Sequence, residues 1–490
     1  MDITLRSILD NAESSWSSKP FIHTRNGPTF ASKTFGEFAQ DVRALSVALV
    51  ERGFAGKHIL IYGENSYEWM VADYAACAYV GVSAAMSKDG KKRDLVSAIE
   101  KTDIAAVFYS QKLSGEIEGL SELLNVPFFS LESDLHRIIN ASKSDQRREQ
   151  APAIPSLEPE DINALCKIYF TSGTTGIPKA AMLSQKNIFS GVESLVARAP
   201  MDERDCSYLF LPLSHTYGGI YNFIYSLIFG ISLYLCSDTN LIAEELQIVR
   251  PTIFCAVPRI LERFLCAANA SENATQAGEI LRQMFGGNLR YLFCSGSPWR
   301  PEDRLFYKNS GLNLLEAYAL TETASSFSLS YSGESDTESV GVVFENIDVR
   351  IDADFQPAES AAMCGLEARA PSVFDESDYI RGQREVSSAQ TPIGVTPGDS
   401  GCGEILVRGD NVFLGYYNDE HATAAAIDSS GFFRTGDIGR LDATRHLYIT
   451  GRKSGLRKTS AGEFATAEDA DSTGSSDSTA DTGASWKAAL

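Results

Sequence analysis

The sequence predicts an α/β fold of stacked layers with mostly parallel sheets. Short apolar runs bounded by glycine or polar residues alternate with longer stretches whose apolar residues recur at helical spacing. Alternation at this pace lays helices on the faces of parallel strands. A third feature locates the chemistry. The apolar run 168–170 empties into Thr171-Ser172-Gly173-Thr174-Thr175-Gly176, a segment with no apolar residue and two glycines.

In chain order, apolar spacing predicts a helix over 35–52, ended by Gly53 and Gly56, and then a strand at 58–62. A helix over 67–79 and a strand at 104–109 follow. Beyond the glycine-rich segment come a strand at 208–211, a helix over 220–228 and a strand at 232–236. The series continues with a helix over 243–249, a strand at 252–257, a helix over 259–265, and strands at 289–294 and 312–315. Two stretches break this rhythm. Residues 351–400 are rich in Ala, Ser, Glu, Pro and Gly and read as a surface insertion, partly disordered. Residues 465–490 read as a disordered tail, since they offer too little apolar surface to fold alone.

Composition narrows the classes of partner. A chain of 490 residues with 44% hydrophobic content can bury large cores in several domain-sized units. Its formal charge of −21 argues against nucleic acid or an anionic membrane as a general partner. Any bound anion must then be held by local positive groups. The most apolar stretch, 220–236, is interrupted by Asn222, Ser226 and Gly230 and is too short to span a bilayer. At most peripheral membrane contact is expected. Nine cysteines show no paired or metal-binding spacing, and residues 1–11 lack a signal-peptide core. A reduced, cytoplasmic protein is the reading.

The segment 171–176 cannot pack, but it can wrap N–H groups and hydroxyls around an anion, because glycine lets the backbone curl and approach closely. Pro178 stiffens its exit and Lys179 adds a positive charge. A phosphate-binding loop is the functional reading; a plain surface loop is the alternative. It is not the Walker pattern, which needs Gly before the lysine and Ser or Thr after it, where this chain has Pro178 and Ala180.

Tyr169-Phe-Thr-Ser-Gly-Thr-Thr-Gly-Ile-Pro-Lys179 resembles the signature loop of the adenylate-forming superfamily, which includes acyl-CoA synthetases, luciferases and nonribosomal adenylation domains. Further segments resemble the family's motifs in the family's order. Leu211-Pro-Leu-Ser-His-Thr-Tyr-Gly-Gly219 is similar to the acyl-pocket segment and carries His215, which alone would read as a packed or surface histidine. The stripe Tyr221, Phe223, Ile224 and Leu227 after it is either core or a fatty-chain tunnel. Amino-acid activators place an aspartate in this segment, and none occurs between Leu211 and Tyr225.

Cys294-Ser-Gly-Ser-Pro298 resembles the wall between adenine and acyl group, which implies a lining role for Gly296 and Ser297. Ala317-Tyr-Ala-Leu-Thr-Glu322 resembles the Tyr-Gly-x-Thr-Glu motif, with Ala317 and Ala319 where the family prefers glycine. The resemblance implies that Tyr318 stacks on adenine, Thr321 bonds the α-phosphate and Glu322 holds Mg²⁺, a hard ion suited to carboxylate oxygen. Gly431-Phe-Phe-Arg-Thr-Gly-Asp437 resembles the segment whose aspartate grips the ribose hydroxyls. Tyr448-Ile-Thr-Gly-Arg452 resembles the strand before the interdomain hinge, with Arg452 reaching ribose or phosphate.

What the resemblance implies is an AMP-forming acid–thiol ligase of long-chain fatty-acid–CoA type, using ATP and Mg²⁺ with CoA as co-substrate. The implied catalytic residues are Lys179, Thr174, Glu322 and His215. The implied nucleotide-binding set is Thr171, Ser172, Gly173, Thr174, Thr175, Gly176, Lys179, Gly296, Ser297, Tyr318, Thr321, Asp437 and Arg452. In fold, it implies a large N-terminal domain of stacked α/β layers with mixed sheets plus a distorted β-barrel subdomain over 1–450. Residues 451–464 would be the hinge and the remnant of a lid domain that is otherwise largely absent. After Lys458 only Lys487 remains, and it does not match the lid lysine that completes adenylation, so impaired activity is expected. Two alternatives stay open: a lidless pseudoenzyme that binds ATP or acyl-adenylate, and an activator of aryl acids or of carrier-protein substrates.

Overall fold

The computed structural model describes residues 3–144, 161–171, 178–268, 274–334, 336–352, 401–453, 456–458 and 464–466. Three sheets organise them. The first has nine strands in the order Val342–Val343, Ser328–Leu329, Leu314–Tyr318, Tyr291–Cys294, Ile253–Ala256, Cys206–Leu209, Ser232–Leu235, Pro20–Asn26 and Thr29–Thr34. The six from Leu314–Tyr318 to Pro20–Asn26 run parallel, and the strands at both edges are antiparallel.

The second sheet has seven strands: Gly415–Tyr416, Lys179–Ser184, Leu165–Thr171, Val82–Met86, His58–Tyr62, Ile104–Tyr109 and Phe128–Ser130. Its last five are parallel, and the hairpin at the other edge is antiparallel. A third sheet, Asp348–Asp352, Gly403–Arg408, Phe433–Leu441 and Leu447–Arg452, is antiparallel throughout. It stands where the resemblance implies a barrel, and among the described residues no pairing closes it.

Side-chain alternation sets the layers. Successive strand residues face opposite sides. Ile59 and Ile61 join one core, while Leu60 and Tyr62 join another. On the first sheet, Ile253 and Cys255 face that shared core, whereas Phe254 and Ala256 face a third. The shared core also takes helices Leu5–Trp16, Phe35–Leu49 and Tyr67–Ala75, so a helical layer lies between the two parallel sheets. Phe38 makes edge contacts with Tyr67, Tyr74 and Phe223 at centroid distances of 6.2, 5.9 and 5.9 Å. The stripe from Tyr221 onward is therefore core at Phe223.

The expected elements are present with shifted ends. The helix expected over 35–52 starts at Phe35 through a reciprocal cap between Thr34 and Glu37, and the α-helix ends at Leu49. The chain then widens through Val50–Phe54, where Gly53 turns left-handed at φ 86°. The strand expected at 208–211 is Cys206–Leu209, and the helix expected over 220–228 begins earlier, as Tyr217–Ile224 followed by Tyr225–Phe229. Ile351 and Asp352, expected to open the insertion, instead complete a strand. The rest of the insertion and the tail beyond 466 lie outside the described residues. Of the hinge segment, Gly451 and Arg452 finish a strand, and Leu456–Lys458 pairs with Phe464–Thr466. Among the described residues no helix is long and apolar enough to cross a membrane.

Candidate active site

Parallel sheets leave a crevice beyond the carboxyl ends of their strands, where the chain leaves the ladder and side chains converge. In the first sheet these ends deliver Leu211–Gly219, the turn at Gly296 and Ser297, and the turn at Thr321 and Glu322. In the second they deliver Thr171. The two edges are pinned together. Asn65, just past strand His58–Tyr62, donates from Nδ2 to the Leu211 carbonyl at 2.8 Å and accepts from the Leu213 N–H at 2.9 Å. Gly219 has no room for a side chain, since a Cβ there would sit 2.6 Å from the Tyr169 hydroxyl.

One end of the site is built on Asp437. The Tyr318 hydroxyl donates to Asp437 Oδ2 at 2.5 Å. Arg452, its cross-strand partner, places Nε 3.5 Å from Oδ1, with the guanidinium side chain 65% exposed. The Asp437 N–H donates to Thr435 Oγ1, which itself donates to the Ile405 carbonyl, so the carboxylate sits on a fixed backbone. Burial raises the Asp437 pKa, and the Tyr318 hydrogen bond and Arg452 partly oppose it. The Tyr318 phenol is pushed well above its ordinary value, first by burial and then by Asp437, so it remains a donor. Its ring is 7% exposed and meets Phe327 edge-on at 4.9 Å.

The other end joins Lys179 to Glu322. Lys179 opens the return strand opposite Thr171, and its ammonium lies 4.7 Å from the Tyr416 ring centroid. The Tyr416 hydroxyl donates to Glu322 Oε1 at 2.8 Å. Glu322 and Thr321 sit half-buried in the short turn Thr321–Thr323, and the Glu322 carbonyl accepts the Phe413 N–H at 2.9 Å. Tyr318 and Glu322 belong to one segment, so the two ends share a single stretch of chain. A half-buried carboxylate beside a lysine held clear of it is a donor set that fits a hard divalent ion together with phosphate oxygens.

Six of the expected residues thus come together: Lys179, Thr321, Glu322, Tyr318, Asp437 and Arg452. Ser172, Gly173, Thr174, Thr175 and Gly176 lie outside the described residues, while Thr171 ends the strand that leads to them. Gly296, at φ +97°, and Ser297 lie exposed in the turn after Tyr291–Cys294, on the strand next to the one that carries Tyr318. His215 is exposed in its turn, with its N–H on the Pro212 carbonyl and its carbonyl accepting from Gly219. Sequence reasoning missed Tyr416. Its one signal is the glycine before it, in Phe413-Leu-Gly-Tyr416.

Layered mixed sheets with polar residues converging beyond their strand ends define a ligand-binding α/β protein. Residues 11–364 match the family of AMP-binding enzymes, and the chain belongs to that family. Its sequence is 24% identical over 481 residues to the long-chain-fatty-acid–CoA ligase FadD15 of Mycobacterium bovis, covering 88% of this chain and 71% of that protein. It is 26% identical to the peroxisomal long chain acyl-CoA synthetase 6 of Arabidopsis thaliana, covering 88% of this chain and 63% of that one. The chain thus spans about two thirds of the length of these relatives. Among solved structures, it superposes on the inhibitor-bound N-terminal domain of FACL13 from Mycobacterium tuberculosis with a TM-score of 0.69 at 21% identity, covering 92% of this chain and 99% of that one. ATP-bound MatB from Rhodopseudomonas palustris gives 0.71 at 22%, covering 95% and 82%. These likenesses establish the fold.

Proposed function

We propose that the chain activates a carboxylic acid with ATP, forming an acyl-adenylate that is passed to CoA. The observation that carries this reading is the run of contacts Lys179–Tyr416–Glu322 and Tyr318–Asp437–Arg452 along one crevice edge. Asp437 accepts the ribose hydroxyls as charge-assisted hydrogen bonds, and Arg452 stands beside it to meet ribose or phosphate. Lys179 and the hydroxyls and N–H groups of Thr171 to Gly176 take the phosphates. Thr174 and Thr321 bond phosphate oxygens, and Gly296 and Ser297 separate adenine from the acyl group. No group of three or more potential metal ligands forms among the described residues, so Glu322 would hold Mg²⁺ jointly with phosphate oxygens. The ion neutralises charge on the phosphates when bound.

The acid's carboxylate attacks the α-phosphate and pyrophosphate leaves. The CoA thiol then attacks the acyl carbonyl and AMP leaves. Holding acid and ATP together makes the first step effectively unimolecular. The acid is a long-chain fatty acid by analogy with the relatives' names, and His215 lies on the segment assigned to its pocket. The setting we favour is the cytoplasm, where the cysteine thiols of the described residues would stay reduced.

Pyrophosphate–ATP exchange across a panel of fatty and aryl acids tests the reading. Exchange that depends on a fatty acid is the expected result. Calorimetry showing no heat on titrating magnesium-ATP would overturn it.

A further inference from the structure

We propose that Tyr416 is a positioning residue that holds Lys179 and Glu322 on separate parts of one phenol. The glutamate is thereby kept for a divalent ion and the lysine for phosphate. This inference rests on the nucleotide-binding reading above. The two residues carry opposite charges in a partly buried crevice, where unlike charges attract more strongly than in water. Paired with each other, each would offer less to an incoming anion or cation. Among the described residues no ion pair joins them. The Tyr416 ring carries the ammonium on its face at 4.7 Å, and its hydroxyl takes the carboxylate at 2.8 Å.

The direction of the phenol is fixed from both sides. Tyr416 pairs with Ala181, while the Leu414 N–H donates to the Met182 carbonyl and the Tyr417 N–H to the Ala180 carbonyl. The Tyr416 N–H donates to Thr423 Oγ1 at 2.8 Å, and the Phe413 ring meets the Tyr416 ring edge-on at 4.9 Å. A second tie comes from Phe413, whose N–H donates to the Glu322 carbonyl. Segment 413–417 therefore locks the strand that opens at Lys179 to the turn that bears Glu322.

The test uses calorimetry on the full chain with AMP alone and with ATP at increasing Mg²⁺. The variants are Tyr416→Phe, which keeps the ring and loses the hydroxyl, and Tyr416→Leu, which loses both. AMP needs no metal and reports whether the nucleotide end is intact. For Tyr416→Phe, wild-type AMP affinity is expected, with roughly 10- to 100-fold more Mg²⁺ needed for half-maximal ATP binding, the usual cost of removing a partner behind a metal ligand. Tyr416→Leu should show the same shift and also weaker binding of metal-free ATP, because Lys179 is then free to turn to Glu322. A wild-type Mg²⁺ requirement in Tyr416→Phe would overturn the inference. So would a matching loss of AMP binding, which marks a merely structural role. A wild type that binds neither nucleotide would instead overturn the parent reading, and this inference with it.

Discussion

Lys167 places its ammonium 2.6 Å from both carboxylate oxygens of Asp73, and neither side chain has any solvent exposure. Ser83, the cross-strand partner of Lys167, donates a further hydrogen bond to Asp73 Oδ1. Lys167 sits in strand Leu165–Thr171, just ahead of the glycine-rich segment, and its pairing with Asp73 ties that strand to helix Tyr67–Ala75. Burial opposes the lysine's charge, but Asp73, joined by Tyr169 and Cys77, acts in the other direction, and together they hold the lysine pKa well above its ordinary value.

A pair so placed is costly to break from one side. Lys167→Met leaves an unpaired carboxylate among buried residues, and such losses run to about 3–5 kcal/mol. The double variant Asp73→Leu/Lys167→Met removes both charges and should recover most of that loss. Denaturant titration of the three proteins checks this. A single variant as stable as the wild type would show that the pair contributes little.

Asp437 gives a prediction about binding rather than stability. Hydrogen bonds to a charged group contribute about 1.5–3 kcal/mol each. Asp437→Asn should therefore weaken AMP binding by roughly 10- to 100-fold with little change in thermal midpoint. The sign with pH follows from the raised pKa of this carboxyl. In the proposed role the ionised form accepts the ribose hydroxyls, so affinity should be full above that pKa and fall as pH drops through it. In the Asn variant the dependence should be flat. Calorimetry over an acidic pH series reads both effects.

Much of this fold was legible because its strands alternate cleanly and end at turn residues. The strands at 58–62 and 104–109 lie where apolar runs placed them. Gly53 marks the end of the helix after Phe35 in the sequence, but the change to a wider turn at Val50 does not show there, because apolar residues continue past Leu49. Within the site, Tyr318, Asp437 and Arg452 carried motif signals. Tyr416 did not, since the strand Gly415–Tyr416 is too short to show periodicity and Lys179, whose ammonium lies over its ring, is far away in sequence. Lys167 was equally hidden. A lysine in an apolar strand reads as a solvated edge until Asp73, 94 residues earlier, is brought against it.

Gly415 should resist substitution for two separate reasons. Its φ of +123° lies where side chains are disfavoured, and a Cβ would meet Thr423 Cγ2 at 2.7 Å. Thr423 is the residue whose hydroxyl accepts the Tyr416 N–H. Gly415→Ala should cost about 1–3 kcal/mol and displace Tyr416 from Glu322. Thermal unfolding reads the first effect, and the Mg²⁺ requirement for ATP binding reads the second. A neutral Ala variant in both assays would show that the backbone here relaxes freely.

His446 links the loop before strand Val342–Val343 to the hairpin joining Phe433–Leu441 to Leu447–Arg452. Its ring Nε2 lies 2.8 Å from Glu334 Oε1, its ring Nδ1 lies 3.7 Å from Asp442 Oδ2 and 2.8 Å from Thr444 Oγ1, and its backbone N–H donates to Asp442 Oδ1 at 2.9 Å. The Asp442 carboxylate beside the ring, and then Glu334, raise the imidazole pKa from 6.5 to about 10. A folded pKa above the unfolded one means that the native state holds this proton more tightly. The stabilisation is complete below 6.5 and is lost as pH rises through about 10. A shift of this size in a partly screened pair corresponds to about 2–4 kcal/mol. Denaturant midpoints should therefore fall across that alkaline window in the wild type. In His446→Gln they should start lower and stay nearly level, whereas parallel curves for the two proteins would rule out His446 as the source of the decline.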